Sequence, residues 1–221
     1  MNPPAGSRAG TGNAAFTKHP DPLIVREIEF LGGMAGTADG SPGWRPDTKL
    51  PQVAFAGRSN VGKSSLLNRL VRRKAIARVS RTPGRTREIN FFEVNGEFVL
   101  ADLPGYGYAR VSKADRAAWR PLIEGYLSST PTLRGLVLLL DVRRDPTSDD
   151  EQMLAFLADR GLPVLIALTK IDKLTARAGE ARIQMIADSL GLDPDQIVPF
   201  SAVTGAGRDE LAAAVVDLLR S

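Results

Sequence analysis

Residues 57–64 read Gly57-Arg58-Ser59-Asn60-Val61-Gly62-Lys63-Ser64, the spacing G-x-x-x-x-G-K-S of a phosphate-cradling loop. The run before it, Val53-Ala54-Phe55-Ala56, is short and apolar and predicts a buried strand. The run after it, Ser65-Leu66-Leu67-Asn68-Arg69-Leu70, has helical spacing. Strand, glycine loop and helix form the context such a loop needs. Glycines let backbone N–H groups curl round an anion with no Cβ in the way, and the helix start adds a positive dipole end. Lys63 then reaches the β/γ-phosphates of a nucleoside triphosphate, and the Ser64 hydroxyl can ligate Mg²⁺.

Three later stretches narrow the base. Asp102-Leu103-Pro104-Gly105 follows the apolar run Phe98-Val99-Leu100-Ala101. A carboxylate at the carboxyl end of a buried strand is where an open α/β sheet places its ligand. There Asp102 can hold the outer shell of Mg²⁺, and the Gly105 N–H can sense a γ-phosphate; a plain strand-exit turn is the alternative. Thr169-Lys170-Ile171-Asp172 follows Pro163–Leu168 and resembles the guanine-specificity motif [NT]-K-x-D of translation-factor-type GTPases. A carboxylate such as Asp172 can accept both N1–H and N2–H of guanine, a donor pair that adenine lacks. Lys170 would lie along the base plane. Thr169 stands where Asn is commoner, which leaves one loop-bracing hydrogen bond open. Phe200-Ser201-Ala202, after Ile197-Val198-Pro199, resembles the S-A-K-type loop whose backbone touches the guanine carbonyl. The four stretches occur in the order a GTP-binding domain of parallel βα units requires.

Composition fits one soluble α/β domain with a tail. The chain has 221 residues, 43% of them hydrophobic. No apolar run approaches the ~18 residues of a transmembrane helix. The first residues show no basic segment followed by an apolar core, so no secretory signal is expected. Zero cysteines exclude disulfides and thiolate metal sites and fit a reducing, cytoplasmic setting. The single histidine, His19, lies in a polar segment and reads as a solvated loop residue. Residues 1–22 are expected to be a disordered tail. Residues 23–49 read as an edge strand over 23–31 and a Gly/Pro-rich connector, and residues 50–221 as the nucleotide-binding domain. Asn95-Gly96 signals a type I′ hairpin and thus one antiparallel pair beside the parallel strands. Ser148-Asp149-Asp150-Glu151 reads as a capping box. A last helix from about Arg208 buries Leu211, Val215, Leu218 and Leu219. No coiled-coil heptads occur, so a monomer is expected.

The charge is uneven. The formal total is +4, yet Arg69 to Arg87 holds eight basic residues (Arg69, Arg72, Arg73, Lys74, Arg78, Arg81, Arg85, Arg87) and no acidic one. Beyond the D-L-P-G stretch come Arg110, Lys113, Arg116 and Arg120, the last three spaced to share a helix face. A basic surface beside a nucleotide-controlled loop suggests an anionic partner, RNA. The alternative is a solvated face, with Arg72–Lys74 complementing a helix C-terminus.

Residues 57–65, ending Lys63-Ser64-Ser65, Thr82-Pro83-Gly84-Arg85-Thr86, and Asp102-Leu103-Pro104-Gly105-Tyr106-Gly107-Tyr108-Ala109-Arg110-Val111-Ser112-Lys113 resemble the EngB (YihA/YsxC) family, within the TrmE–Era–EngA-type P-loop GTPases. Matching segments run from about residue 50 to 205. The resemblance implies a Ras-like fold, GTP and Mg²⁺, a role in assembling the large ribosomal subunit, and through it normal cell division, septation and growth. It makes Gly84, Arg85 and Thr86 part of a mobile loop, with Thr86 closing on Mg²⁺ in the triphosphate state. It aligns Asn60 with a phosphate-loop Asn that helps bind K⁺ in related GTPases; bracing the loop is the other reading. Arg78, Arg81, Arg85, Arg87, Arg110, Lys113 and Arg116 become the candidate contacts to ribosomal RNA. Where many Ras-like enzymes place a water-orienting Gln after D-x-x-G, this chain has Tyr106. Slow intrinsic hydrolysis, stimulated by a partner surface, K⁺ or both, is the expectation. A P-loop ATPase or small-molecule kinase and a non-catalytic GTP-sensing RNA-binding module are the rival classes; Asp172 argues against the first.

Overall fold

The apolar runs around residues 53, 98, 136 and 164 become adjacent strands because each is apolar on both faces and needs cover on both. The structure, a computed structural model, describes residues 21–36, 43–74, 76, 88–106 and 113–221, and for 113–119 the backbone alone. Seven strands form one sheet among the described residues: β1 (Ile28–Ala35), β2 (Gln52–Gly57), β3 (Glu88–Val94), β4 (Phe98–Asp102), β5 (Leu133–Asp141), β6 (Val164–Thr169) and β7 (Ile197–Phe200), in the order β1-β3-β4-β2-β5-β6-β7. Strands β4, β2, β5, β6 and β7 are mutually parallel.

Helices cover both faces. On one side β2 and β5 turn Val53, Phe55, Val137 and Leu139 towards α1 (Lys63–Leu70) and α5 (Arg208–Arg220), which bury Leu66, Leu67, Leu70, Leu211 and Val215. On the other, Ala54, Ala56, Leu136 and Leu138 meet α2 (Lys113–Ser129), α3 (Ser148–Ala158) and α4 (Ala176–Leu190) through Ile123, Tyr126, Leu157 and Ile186. The period-2 alternation of β2 and β5 sorts these side chains. The result is the expected mostly parallel α/β sheet of a Ras-like P-loop protein.

The hairpin joining β3 and β4 turns at Asn95 (φ 56°) and Gly96 (φ 67°), both left-handed as a type I′ turn requires. The Asn95 amide also accepts from the N–H groups of Arg26 (2.8 Å) and Glu27 (3.1 Å) and donates to Ile24 O (2.8 Å), so the turn holds the segment entering β1. That segment adds a second antiparallel pair, β1 against β3, to the one the sequence suggests. Its strand runs over 28–35, later than the sequence reading of 23–31. Leu23 is buried beneath the α1/α5 layer instead.

Asp21, which the sequence reading assigns to the tail, is held by the guanidinium of Arg208. Arg208 is buried, donates to Leu70 O (2.7 and 3.0 Å) and Leu23 O (2.9 Å), and so caps the end of α1 while fastening the incoming chain. The first 20 residues and positions 37–42 lie outside the described residues. Arg208→Ala should lower stability by about 2 kcal/mol in urea denaturation, because two buried carbonyls lose their donors. Arg208→Lys should recover little of it, since one ammonium cannot reproduce the fork.

Candidate functional site

The phosphate loop leaves β2 at Gly57, where a Cβ would stand 3.0 Å from Leu139 and Val61. Asn60 (φ 64°) and Gly62 (φ 107°) then carry the backbone through the left-handed region, and Gly62 is the N-cap of α1. Lys63, Ser64 and Ser65 form the first turn of α1, whose N–H groups a helix leaves without internal partners. The Lys63 ammonium is ion-paired with Asp102 at the end of β4, and both side chains are largely buried.

Beyond Asp102 the chain runs along the phosphate loop. Leu103 N–H donates to Phe55 O (3.0 Å), Tyr106 N–H to Gly57 O (3.3 Å), and Ser59 N–H to Tyr106 O (2.8 Å). Gly105 lies so close to Ser59 that a Cβ would come within 3.2 Å of its hydroxyl. The Tyr106 phenol donates to Asp150 Oδ1 at 2.5 Å. Burial, and then the Asp150 charge, hold that phenol well above its ordinary pKa, so it remains a donor. The other Asp150 oxygen accepts from the Thr147 N–H (2.8 Å) and hydroxyl (2.7 Å). The cap of α3 is therefore Thr147 with Asp150, one residue before the Ser148–Glu151 pair read from sequence.

At the end of β6 the Thr169 hydroxyl lies 2.8 Å from Val61 O and 3.0 Å from Leu140 O. Threonine thus supplies the brace to the phosphate loop that the sequence left open. Lys170 (φ 64°) donates to Asn60 O (2.7 Å) and to Asp141 Oδ2 (2.9 Å). Asp141, last residue of β5, also takes both arms of Arg143 (2.9 and 2.7 Å). Burial alone would raise the Asp141 pKa; the bonds from Arg143 and Lys170 outweigh it and hold the carboxyl well below the usual range. Asp172 Oδ1 accepts from the Ser201 hydroxyl (2.7 Å), and that bond is the main reason its pKa is lowered. Arg69 of α1 donates to Ala202 O (2.9 Å) and Val203 O (2.8 Å), bracing the loop after β7.

Residues 57–65, 102–105, 169–172 and 200–202 thus converge on one edge of the sheet. Three of them turn their side chains inward: Val61, Leu103 and Phe200 are core, so any ligand contact they make is through the backbone. Gly84, Arg85 and Thr86 lie outside the described residues, as do Arg78, Arg81, Arg87 and Arg110; for Lys113 and Arg116 only the backbone is described. Part of the basic run is spent internally: Arg69 on the loop after β7, Arg72 on Asp21 and Asp209, Arg73 on Val25 O and Arg26 O. Arg120 is likewise engaged, by Glu124 and Gln152. The sequence reading missed Asp141 and Asp150. Asp141 carried the same signal that singled out Asp102, a carboxylate closing an apolar strand. The donors present fit Mg²⁺, since the Ser64 hydroxyl and the Asp102 carboxylate are hard oxygens on elements joined by the Lys63–Asp102 pair. Bound there, the ion would offset phosphate charge.

A phosphate loop opening a helix and facing a strand-end aspartate, with a second aspartate after β6 oriented by serine, marks a P-loop GTPase. Residues 52–170 match the model of a family described as 50S ribosome-binding GTPase. A GTP-binding protein EngB of Gemmatimonas aurantiaca is 64% identical over 197 residues, covering 89% of this chain and 95% of its own. That of Desulfosudis oleivorans is 46% identical over 187 residues, covering 85% and 92%. A crystal structure of an EngB GTP-binding protein superposes with a TM-score of 0.66 at 25% identity, over 76% of this chain and 98% of that one. Era in complex with MgGDPNP and nucleotides 1506–1542 of 16S ribosomal RNA gives 0.61 at 27% identity, over 77% and 57%. The chain belongs to the EngB family of GTP-binding proteins and is a GTP-hydrolysing enzyme.

The Ser201–Asp172 bond makes a pH prediction. A carboxyl with a lowered pKa stays ionised above its ordinary value and loses its charge only as pH falls through the lowered one. GDP affinity should therefore hold from neutrality down to about pH 4, near the free carboxylate value. Ser201→Ala should weaken GDP binding about three- to tenfold in calorimetric titration and move the acid limb to higher pH.

Proposed function

We propose that this GTPase is a nucleotide-controlled factor that assists assembly of the large ribosomal subunit, and through it normal cell division and growth. The observation that carries the reading is membership of the EngB family together with a match to a family described as 50S ribosome-binding GTPase. The cytoplasm is the compartment this role requires. In this reading residues 57–65 cradle the phosphates, with Lys63 on the β/γ-phosphates and Ser64 on Mg²⁺. Asp102 holds the metal's outer shell, Gly84, Arg85 and Thr86 close over the γ-phosphate, and Gly105 senses it. Residues 169–172 and 200–202 read guanine, Asp172 through its carboxylate.

Hydrolysis by the free protein is slow, because Tyr106 is engaged with Asp150 and is no substitute for a water-orienting amide. Stimulation comes from outside: a partner surface, K⁺, or both. Basic residues flanking the γ-phosphate site (Arg78, Arg81, Arg85, Arg87, Arg110, Lys113, Arg116) dock ribosomal RNA when that phosphate orders their loops.

Sedimentation with purified subunits tests this. The protein should co-migrate with the large subunit in a non-hydrolysable GTP analogue and lose most of that association in GDP. Equal binding in both states, or none, sinks the gated reading. Asp172→Asn should weaken guanine nucleotides by about 10²-fold or more and improve relative binding of xanthine nucleotides, whose edge suits an amide. A protein that instead kept its guanine preference would remove Asp172 from the base-reading role.

A further inference from the structure

Two donors of the phosphate loop are engaged by the chain itself. The Lys63 ammonium is paired with Asp102, and the Ser59 N–H is donated to Tyr106 O at 2.8 Å. Both acceptors belong to one five-residue segment, 102–106. Its backbone continues the sheet by bonding to Phe55 O and Gly57 O, and Arg58 and Tyr106 form a parallel bridge. Gly105 is seated against Ser59, closing the corner of the phosphate loop. A phosphate that takes Lys63 must displace the Asp102 carboxylate.

One side chain fastens the far end of this segment. Tyr106 is 5% exposed, Asp150 is 1% exposed, and their bond is 2.5 Å long. Asp150 is fixed in turn, since its second oxygen takes the Thr147 N–H and hydroxyl. The acceptor is therefore rigidly part of α3, an element outside the phosphate loop and the base-reading loops.

We propose that Asp150 is a positioning residue for the GTPase switch: through the Tyr106 hydroxyl it holds residues 102–106 against the phosphate loop, so that the resting protein favours GDP over GTP. This rests on the reading of residues 57–65 as the phosphate site. The bond does not contact nucleotide. It stabilises a segment that carries Gly105, the γ-phosphate sensor of that reading, and whose carboxylate is paired with Lys63. A ligand shifts such an equilibrium only by its differential affinity for the two arrangements. GDP asks this edge of the loop for Lys63 alone, whereas GTP also calls on Gly105, which the fastened segment holds against Ser59.

The test is the ratio of affinities for a non-hydrolysable GTP analogue and for GDP, measured with Mg²⁺ on the full chain. Tyr106→Phe keeps the ring and its packing and removes only the hydroxyl. It should tighten the analogue relative to GDP by about tenfold, the scale of one hydrogen bond to a charged acceptor. Asp150→Asn, from the other side, should move the ratio the same way. The double variant should add little to either single one, which a general loosening would not produce. Thermal unfolding of each variant separates a folding defect from the effect, because a defect lowers both affinities together. A ratio unchanged in Tyr106→Phe and Asp150→Asn, with GDP still bound, overturns the latch alone. If the wild-type chain bound neither nucleotide, the phosphate site itself would be wrong and the latch with it.

Discussion

The arrangement depends on backbone register between parallel strands. Five strands share a direction, and their ladders bring the last residues of β5, β6 and β7 into one row: Asp141 opposite Thr169, and Thr169 opposite Phe200. On the other side of β5, Phe55 stands opposite Asp102. Asp102, Asp141, Thr169 and Phe200 each hand the chain to a loop at the same edge of the sheet. Because side-chain direction alternates with period two, a slip of one residue in any pair would turn a strand-end carboxylate to the opposite face of the sheet. The continuous apolar faces of β2 and β5 make such slips costly. Core packing thus fixes the site geometry before any polar bond within the site is made.

Polar bonds then join the loops that register has gathered. Lys170 reaches Asn60 O and Asp141, and Thr169 reaches Val61 O, so the loop after β6 and the phosphate loop are held to each other. Arg69 ties the loop after β7 to α1, the helix that presents Lys63 and Ser64. Each of these donors meets a backbone carbonyl, and that fixes the loop path whichever side chains line it. Such buried networks reward complete satisfaction and penalise a missing partner. No buried side-chain nitrogen or oxygen among the described residues lacks a hydrogen-bond partner.

Much of this could be read from spacing alone, where a residue type has one physical use. Gly57 and Gly62 with Lys63, Asp102 after an apolar run, and Asn95-Gly96 between two strands are local signals, and the structure puts them on the elements expected. The failures share a cause: tertiary contacts chose among locally equivalent options. Thr147/Asp150 and Ser148/Glu151 both fit a capping pattern, and the Tyr106 phenol, distant in sequence, uses Asp150. The strand β1 runs through Gly32 and Gly33, poor strand formers, because the edge of β3 is open to pairing and the ring of Trp44 fills the space above Gly32. Phe200 looked like a loop contact but lies in the apolar layer under α1 and α5, which burial of a large ring favours. Within the basic run the sequence offers Arg72–Lys74 a local alternative at a helix C-terminus, and Arg69, Arg72 and Arg73 are held by particular carbonyls and carboxylates that no linear pattern exposes.

The segment 102–106 shows why a switch can be made of ordinary parts. To turn a two-state equilibrium from about 1:99 to 99:1 needs a differential affinity of roughly 10⁴. One hydrogen bond supplies only a fraction of that. Tyr106–Asp150 therefore biases the balance without locking it, and the rest is carried by the Lys63–Asp102 pair and the Ser59–Tyr106 backbone bond. Of these, the Lys63 pair involves a donor that a phosphate would take, so ligand binding would remove it at the moment it replaces it. The phenol is different, because no phosphate replaces its bond to Asp150. Its strength is an independent setting of how readily the chain accepts a triphosphate, fixed by a residue pair that neither binds nucleotide nor carries out chemistry.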